Sequence, residues 1–178
     1  RQHRFDVAVP AEEFIFSGWF DKVLPALLLV VFALLTGPVT PFLLQSSKWQ
    51  QECEKNRPYW LSVYHSALDN RLDAWQHSPE GALALCLVLD QIPRMLFPNE
   101  GRAMDGNDKA LEVAEAALAR GDHLAVPPCM RFWLYMPFMH SETLEHQELC
   151  VSLFEDLCEA APGSKPLLKS ARAHHEVC

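Results

Sequence analysis

Apolar and polar positions divide this chain into two unlike parts. Between Lys22 and Lys48 no side chain is charged, and Val23–Leu35 is apolar without interruption. Val23–Leu44 is 22 residues long, about the length of helix that crosses a ~30 Å hydrocarbon layer. It lacks the polar face that a surface helix of a water-soluble domain carries. Trp19 and Phe20 precede it and Trp49 follows it, where an interfacial aromatic belt would lie. Pro38 and Pro41 interrupt its end, which membrane helices tolerate. The pattern predicts one N-terminal transmembrane helix over residues 23–44, with Val23, Leu27, Val30, Leu34 and Phe42 as anchor residues. A buried helix or a hydrophobic docking segment is the competing expectation. The basic residues on the two sides balance, so orientation is not set.

From Trp49 onward the pattern has helical period, with no sustained alternation of strand type. Trp60, Leu61, Tyr64, Ala67, Leu68, Arg71, Leu72 and Trp75 are spaced as one helix face. Ser78-Pro79-Glu80 is a helix start: a capping hydroxyl, a proline in the first turn, then an acid. The following run to about Gln91 is apolar nearly all round, which predicts the central core helix, ended or kinked at Pro93. Asn107 or Asp108 is expected to cap a helix that stops at Gly121. Pro127-Pro128 opens another, interrupted at Pro137. Ser141 is expected to cap a long amphipathic helix to about Ala161 with Leu144, Val151, Phe154 and Leu157 inward. The fold class is therefore all-α: an N-terminal segment 1–22, the span 23–44, an antiparallel helical domain 45–161 of five helices, and a C-terminal tail 162–178 on the surface or on a partner.

Composition sharpens this division. Of 178 residues, 49% are hydrophobic and 21% charged, with a net charge of −8. That excludes a disordered chain and argues against nucleic-acid binding by phosphate neutralisation. Lys48 onward carries 12 of the 15 basic and 19 of the 23 acidic side chains, a net charge of −7. The mean hydropathy of −0.03 is thus a cancellation between an apolar segment and an acidic domain. The six cysteines show no CxxC and no metal-type pairing with histidine, and Cys86, Cys150 and Cys158 fall in apolar helical patterns. Reduced thiols of a cytosol, stroma or matrix are expected. The first residue, Arg1, is consistent with removal of a targeting peptide.

Two motifs carry a resemblance. Trp75-Gln-His-Ser78-Pro79-Glu-Gly81-Ala-Leu83-Ala84, followed by Leu89-Asp90-Gln91-Ile92-Pro93-Arg94, resembles a segment of the bacterial family called domain of unknown function 924. Phe132 to Gln147, with Pro137-Phe-Met-His140-Ser141-Glu142, is similar to a second segment of it, and Ala117–Gly121 resembles a helix end between the two. The resemblance spans roughly Trp49 to Leu157. It implies an all-helical, tetratricopeptide-like fold and no particular activity. Met95 stands where the family pattern has asparagine, and Pro98-Asn99 where it tends to have Arg-Gly. The hydrophobic span is expected to be an addition to the family pattern.

Asp90, Gln91, Arg94, His140, Glu142 and Gln147 form the polar constellation on otherwise apolar helices. One expectation is a pocket in which Arg94 binds a carboxylate or phosphate, with His140 and Glu142 as acid and base. The other is a buried network in which Asp90 and Glu142 neutralise Arg94 and His140 and tie two helices together. His140, Glu142 and His146 do not have the spacing of a HExxH metal site, so no metal is expected. No P-loop, GxGxxG or GxSxG is present, and no catalytic residue is assigned. Trp60, Trp75, Trp133 and Tyr135 are expected in the core.

The span has no His, Asp, Glu, Asn or Gln, so it offers no side-chain ligand to a pigment or haem metal and no proton relay. No cofactor is expected from side chains; lipid or pigment contact with the span stays open. The expected function is that of a non-catalytic, single-span accessory subunit of a large organelle membrane complex. A photosynthetic (photosystem) assembly in the plastid thylakoid is favoured over the mitochondrial inner membrane, with the helical domain on the stromal or matrix side. Its partners would be other subunits and membrane lipid, not nucleic acid. The alternative is an enzyme or small-ligand-binding protein that uses the Arg94, His140 and Glu142 region.

Overall fold

A computed structural model describes residue 51 and residues 53–178. The expected span, its anchor residues Val23, Leu27, Val30, Leu34 and Phe42, and the aromatics Trp19, Phe20 and Trp49 lie outside the described residues. Among the described residues there are eight α-helices and no strand: α1 (Arg57–Leu68), α2 (Pro79–Cys86), α3 (Ile92–Leu96), α4 (Asn107–Arg120), α5 (Asp122–Ala125), α6 (Pro128–Met139), α7 (Leu144–Ala160) and α8 (Lys165–His175). None of them is long and apolar enough to cross a membrane.

Helix α2 is the centre of the fold, as its unbroken apolar sequence requires. Every residue from Gly81 to Pro93 is buried. It packs against α4, α6 and the 3₁₀ turn Asp73–His77. Each fully buried leucine there, such as Leu83, Leu85 or Leu89, contributes about 1.5–3 kcal/mol through removal from water. The start of α2 matches its sequence signal: the Ser78 hydroxyl accepts the Gly81 N–H at 3.1 Å, and Pro79 fills the first turn. Gly81 is needed because a Cβ there would lie 2.0 Å from the Trp75 carbonyl oxygen. The tryptophan, serine and glycine of the first motif are thus parts of one turn.

Between α2 and α3 the chain makes a single π turn, Leu87–Gln91, in which the Ile92 N–H bonds the Leu87 carbonyl. Pro93 explains it. Its ring has no N–H and crowds the carbonyl four residues back, so a regular α-turn would be broken there. The wider turn lets the helix continue instead of ending, and π turns of this kind recur at functional sites.

The structure corrects several expected boundaries. The face from Trp60 to Trp75 is not one helix: α1 stops at Leu68 because Asn70 takes a left-handed backbone (φ 65°). Lys109 on α4 seals that end, donating to the Ala67 carbonyl (2.6 Å), Asn70 Oδ1 (2.6 Å) and Asp73 Oδ1 (2.7 Å). Gly106, not Asn107 or Asp108, is the N-cap of α4, which leaves the Asn107 side chain for another partner. Gly121 ends α4 in the left-handed region (φ 78°), as expected. Pro137 does not interrupt α6, which runs on to Met139. Helix α7 begins at Leu144 with Thr143 as its N-cap, so Ser141 is not the cap. Leu144, expected inward, is 54% exposed, because the helix starts only there. Phe154 and Leu157 are buried and Val151 is half-buried. The expected tail 162–178 instead contains α8, which lays Leu167 and Ala171 against α7. Trp75, Trp133 and Tyr135 are buried, and Trp60 packs against the core.

Candidate functional site

The polar constellation gathers around one buried carboxylate. Asp90 is 1% exposed, set by the π turn on the inner side of the α2–α3 helix. His140, the C-cap of α6, brings its Nδ1 to 2.6 Å from Asp90 Oδ1. A carboxylate only accepts, so Nδ1–H is the donor and the ring is fixed with Nε2 outward. Arg94, one turn on in α3, donates from Nη2 to the same oxygen at 3.1 Å and to Asn107 Oδ1 at 3.1 Å. Gln91 Nε2 donates to Asp90 Oδ2. Burial by itself pushes the Asp90 carboxyl up, but the His140 and Arg94 charges and the His140 and Gln91 hydrogen bonds outweigh it and hold the group below the usual carboxylate range.

The cluster opens on one side. The Arg94 side chain is 31% exposed and that of His140 16%. The His174 ring of α8 stands edge-on to His140, with centroids 6.4 Å apart. Partial burial, then the charges of His140 and Arg94, push the His174 imidazole below its ordinary value. The Arg94 guanidinium of α3 and the imidazoles of His140 at the end of α6 and His174 of α8 therefore converge above a single buried anion. His140 Nε2 and Arg94 Nη1 have no hydrogen-bond partner among the described residues, and Arg94 Nε is buried without one.

Four of the six expected site residues meet here: Asp90, Gln91, Arg94 and His140. Glu142 does not; it is exposed, and its carboxylate has no partner among the described residues. Gln147 is buried on α7 and serves a different purpose. Its Nε2 donates to the carbonyls of Ser141 (2.6 Å), Met139 (2.9 Å) and Phe138 (3.4 Å), closing the C-terminal end of α6. Asn107 and His174 complete the cluster and carry no motif of their own; only the fold places them there.

His146, considered above beside a metal, faces another way. Its Nε2 lies 3.0 Å from Glu115 Oε1 on α4, and its Nδ1 faces the Ser141 and Thr143 hydroxyls at 2.9 and 2.7 Å. Among the described residues no group of three or more His, Cys, Asp or Glu is arranged to hold a metal ion. The described residues include all six cysteines, and no disulfide joins them. Cys86 lies close to Asp90 but is no nucleophile: burial first, then the Asp90 charge, pushes its thiol far up. Burial likewise pushes Cys150 up to about 12.

The family model described as bacterial protein of unknown function (DUF924) matches residues 15–178. The matched region starts ahead of the charge-free stretch 23–44 and includes α8, so neither is an addition to the family pattern. A solved structure of a protein of unknown function from Agrobacterium tumefaciens is similar at 26% identity, over 75% of this chain and 70% of that one, with a TM-score of 0.61. No curated protein matches.

Proposed function

The chain belongs to the domain of unknown function 924 family, and from that starting point we propose that it binds a small carboxylate- or phosphate-bearing molecule at the Asp90–Arg94–His140 cluster. His140 is placed to exchange a proton with that molecule. One observation supports this above the others: Arg94 and His140 each have one nitrogen anchored to the buried carboxylate and another turned away without a partner among the described residues. Such an arrangement fixes an imidazole tautomer and a guanidinium plane before any ligand arrives, which is what anion recognition and proton transfer need. Glu142, expected as the second acid or base, is left out of the site by its exposure.

The test is titration of acetate and of inorganic phosphate into the full chain, followed through the His140 ring resonances. A saturable shift that disappears in Arg94→Gln, with the melting temperature little changed, is the expected result. No saturable shift, together with a large loss of stability in His140→Ala, would leave the cluster as a tie between helices.

The charge-free stretch favours a second reading: a single-span accessory subunit of an organelle membrane complex, a photosynthetic one favoured, with a tetratricopeptide-like domain that docks on other subunits. Retention in the membrane pellet after carbonate extraction supports it. Release, or migration after detergent extraction as a free species of about 20.2 kDa, counts against it.

A further inference from the structure

The Ser141–His146–Glu115 relay at the start of α7 is separate from the anion cluster and has the connectivity of a nucleophile, a general base and the acid that orients it. Elimination fixes one end of the relay. Glu115 only accepts, so His146 Nε2 carries the proton toward it at 3.0 Å. In the neutral ring Nδ1 is then the acceptor, and the Ser141 hydroxyl lies 2.9 Å from it. The Thr143 hydroxyl lies 2.7 Å from the same nitrogen. The Ser141 and Thr143 hydroxyls lie 3.2 Å apart, so the Ser141 proton reaches Nδ1 when the Thr143 hydroxyl turns to donate to Ser141 Oγ; the Thr143 backbone N–H donates to the same oxygen at 3.3 Å and stabilises negative charge on it. The backbone on both sides is held: the Ser141 N–H bonds the Phe138 carbonyl at 3.2 Å, and Gln147 clamps the Ser141 carbonyl at 2.6 Å. The His146 ring stands edge-on to Phe138 at 5.9 Å.

The relay opens on solvent: Ser141 is half-buried, Thr143 is exposed and the His146 side chain is 22% exposed. The first N–H groups of α7, a helix of 17 residues, have no intrahelical partner and face the same turn with the positive end of the helix dipole. Leu144, at the head of that helix, offers exposed apolar surface.

We propose that this relay is an acyl-transfer site for short-chain carboxylic esters, with Ser141 as nucleophile, His146 as general base and Glu115 as its orienting acid. Ser141 Oγ adds to the ester carbonyl carbon while His146 Nδ1 takes its proton. The open amides at the start of α7 supply hydrogen bonds to the oxyanion. The intermediate collapses to an acyl-serine, and the leaving alkoxide takes the proton from Nδ1. Water then attacks the acyl-serine with His146 again holding the proton, which returns to Ser141 as the carboxylic acid leaves. One ester and one water give one acid and one alcohol.

The test uses the full chain. A fluorophosphonate probe is expected to label a single site, mapped by mass spectrometry to Ser141. p-Nitrophenyl acetate hydrolysis is expected to fall by roughly 10²-fold in Ser141→Ala and in His146→Gln, and by about tenfold in Glu115→Gln. Circular dichroism melts show whether each variant is folded. Labelling of Thr143 or of no residue, or hydrolysis by folded Ser141→Ala at the parent rate, overturns the proposal. If His146→Gln does not fold, the adduct map on the parent chain decides, together with acyl transfer to Ser141→Cys.

Discussion

Gly106 presses against the backbone of Leu89 so closely that a Cβ on it would lie 2.4 Å from the Leu89 carbonyl oxygen. Leu89 is the residue whose carbonyl loses its ordinary helical partner to Pro93. The approach of Gly106 sets the start of α4 beside that gap and so carries Asn107 to Arg94. Gly106→Ala therefore forces two backbones apart and is expected to cost about 1–3 kcal/mol, the range for overpacking a tight interior. Gly101, with nothing within 4 Å of its added Cβ, is the control, and Gly101→Ala is expected to change stability by no more than about 1 kcal/mol. Urea denaturation of both variants checks this; equal midpoints would mean that α4 shifts freely.

Removal of the central carboxylate tests the cluster as a whole. Asp90→Ala leaves His140 and Arg94 without their shared acceptor and is expected to cost about 3 kcal/mol, at the lower end for a broken buried pair because both cations keep some access to water. Asp90→Asn keeps one acceptor oxygen and should cost less. The pH dependence has a definite sign. The native carboxyl is held below its unfolded value, so its stabilisation is complete above about pH 3.9 and is lost as pH falls through the lower native value. The acid limb of the stability curve below pH 4 should therefore be flatter in Asp90→Asn than in the parent. Parallel acid limbs would show that Asp90 titrates alike in both states.

Much of this architecture was legible from one-dimensional signals whose physical cause is local. Ser78-Pro79 and Gly121 act within a turn of their own position, and the all-apolar run from Ala82 to Leu89 has no alternative to burial. The exposed start of α7 and the helix hidden in residues 165–175 were not legible. Leu144 fits the apolar period but lies at a terminus, and α8 has only Leu167, Leu168 and Ala171 to mark a face. The site divides the same way. Asp90 and Arg94 stand one helical turn apart and announce themselves. Asn107 and His174 reach them only through the Gly106 contact and the packing of α8, and Glu115 reaches His146 only because α4 and α7 both pack on α6. Long-range pairs of ordinary surface residues leave no spacing to read.

His123 gives a second pH effect, near neutrality. Its ring is half-buried beside Tyr135, and its Nδ1 is buried without a hydrogen-bond partner. Burial first, then the Arg131 charge, pushes its pKa below the ordinary value, against a smaller opposing effect of Asp122. The unfolded chain thus takes up a proton near pH 6.5 that the folded chain refuses until lower pH. Stability is full above that value and falls as pH drops through the native value. His123→Gln should remove part of the decline between pH 7 and pH 5, seen in melting temperatures across that range. An unchanged slope would place the titration elsewhere.

Gln147 provides the sharpest test of a polar side chain used as structure. Its Nε2 serves carbonyls at the end of α6, while its Oε1 is buried without a partner. Gln147→Met keeps the volume and loses the donor; it should cost about 1–3 kcal/mol from carbonyls left unsatisfied. Gln147→Glu places an acceptor where only a donor fits and buries a charge as well, so at pH 7 it should be the less stable of the two. Its carboxyl would be raised in the folded state. The folded chain then keeps a proton that the unfolded chain releases above about pH 4.3, so the Glu variant should gain stability as pH is lowered toward that value while the Met variant does not. Urea midpoints at pH 7 and pH 5 measure the difference. A Met variant as stable as the parent at pH 7 would mean that residue 147 does not hold the end of α6, and Ser141 would lose the clamp that the proposed ester-hydrolysing relay relies on.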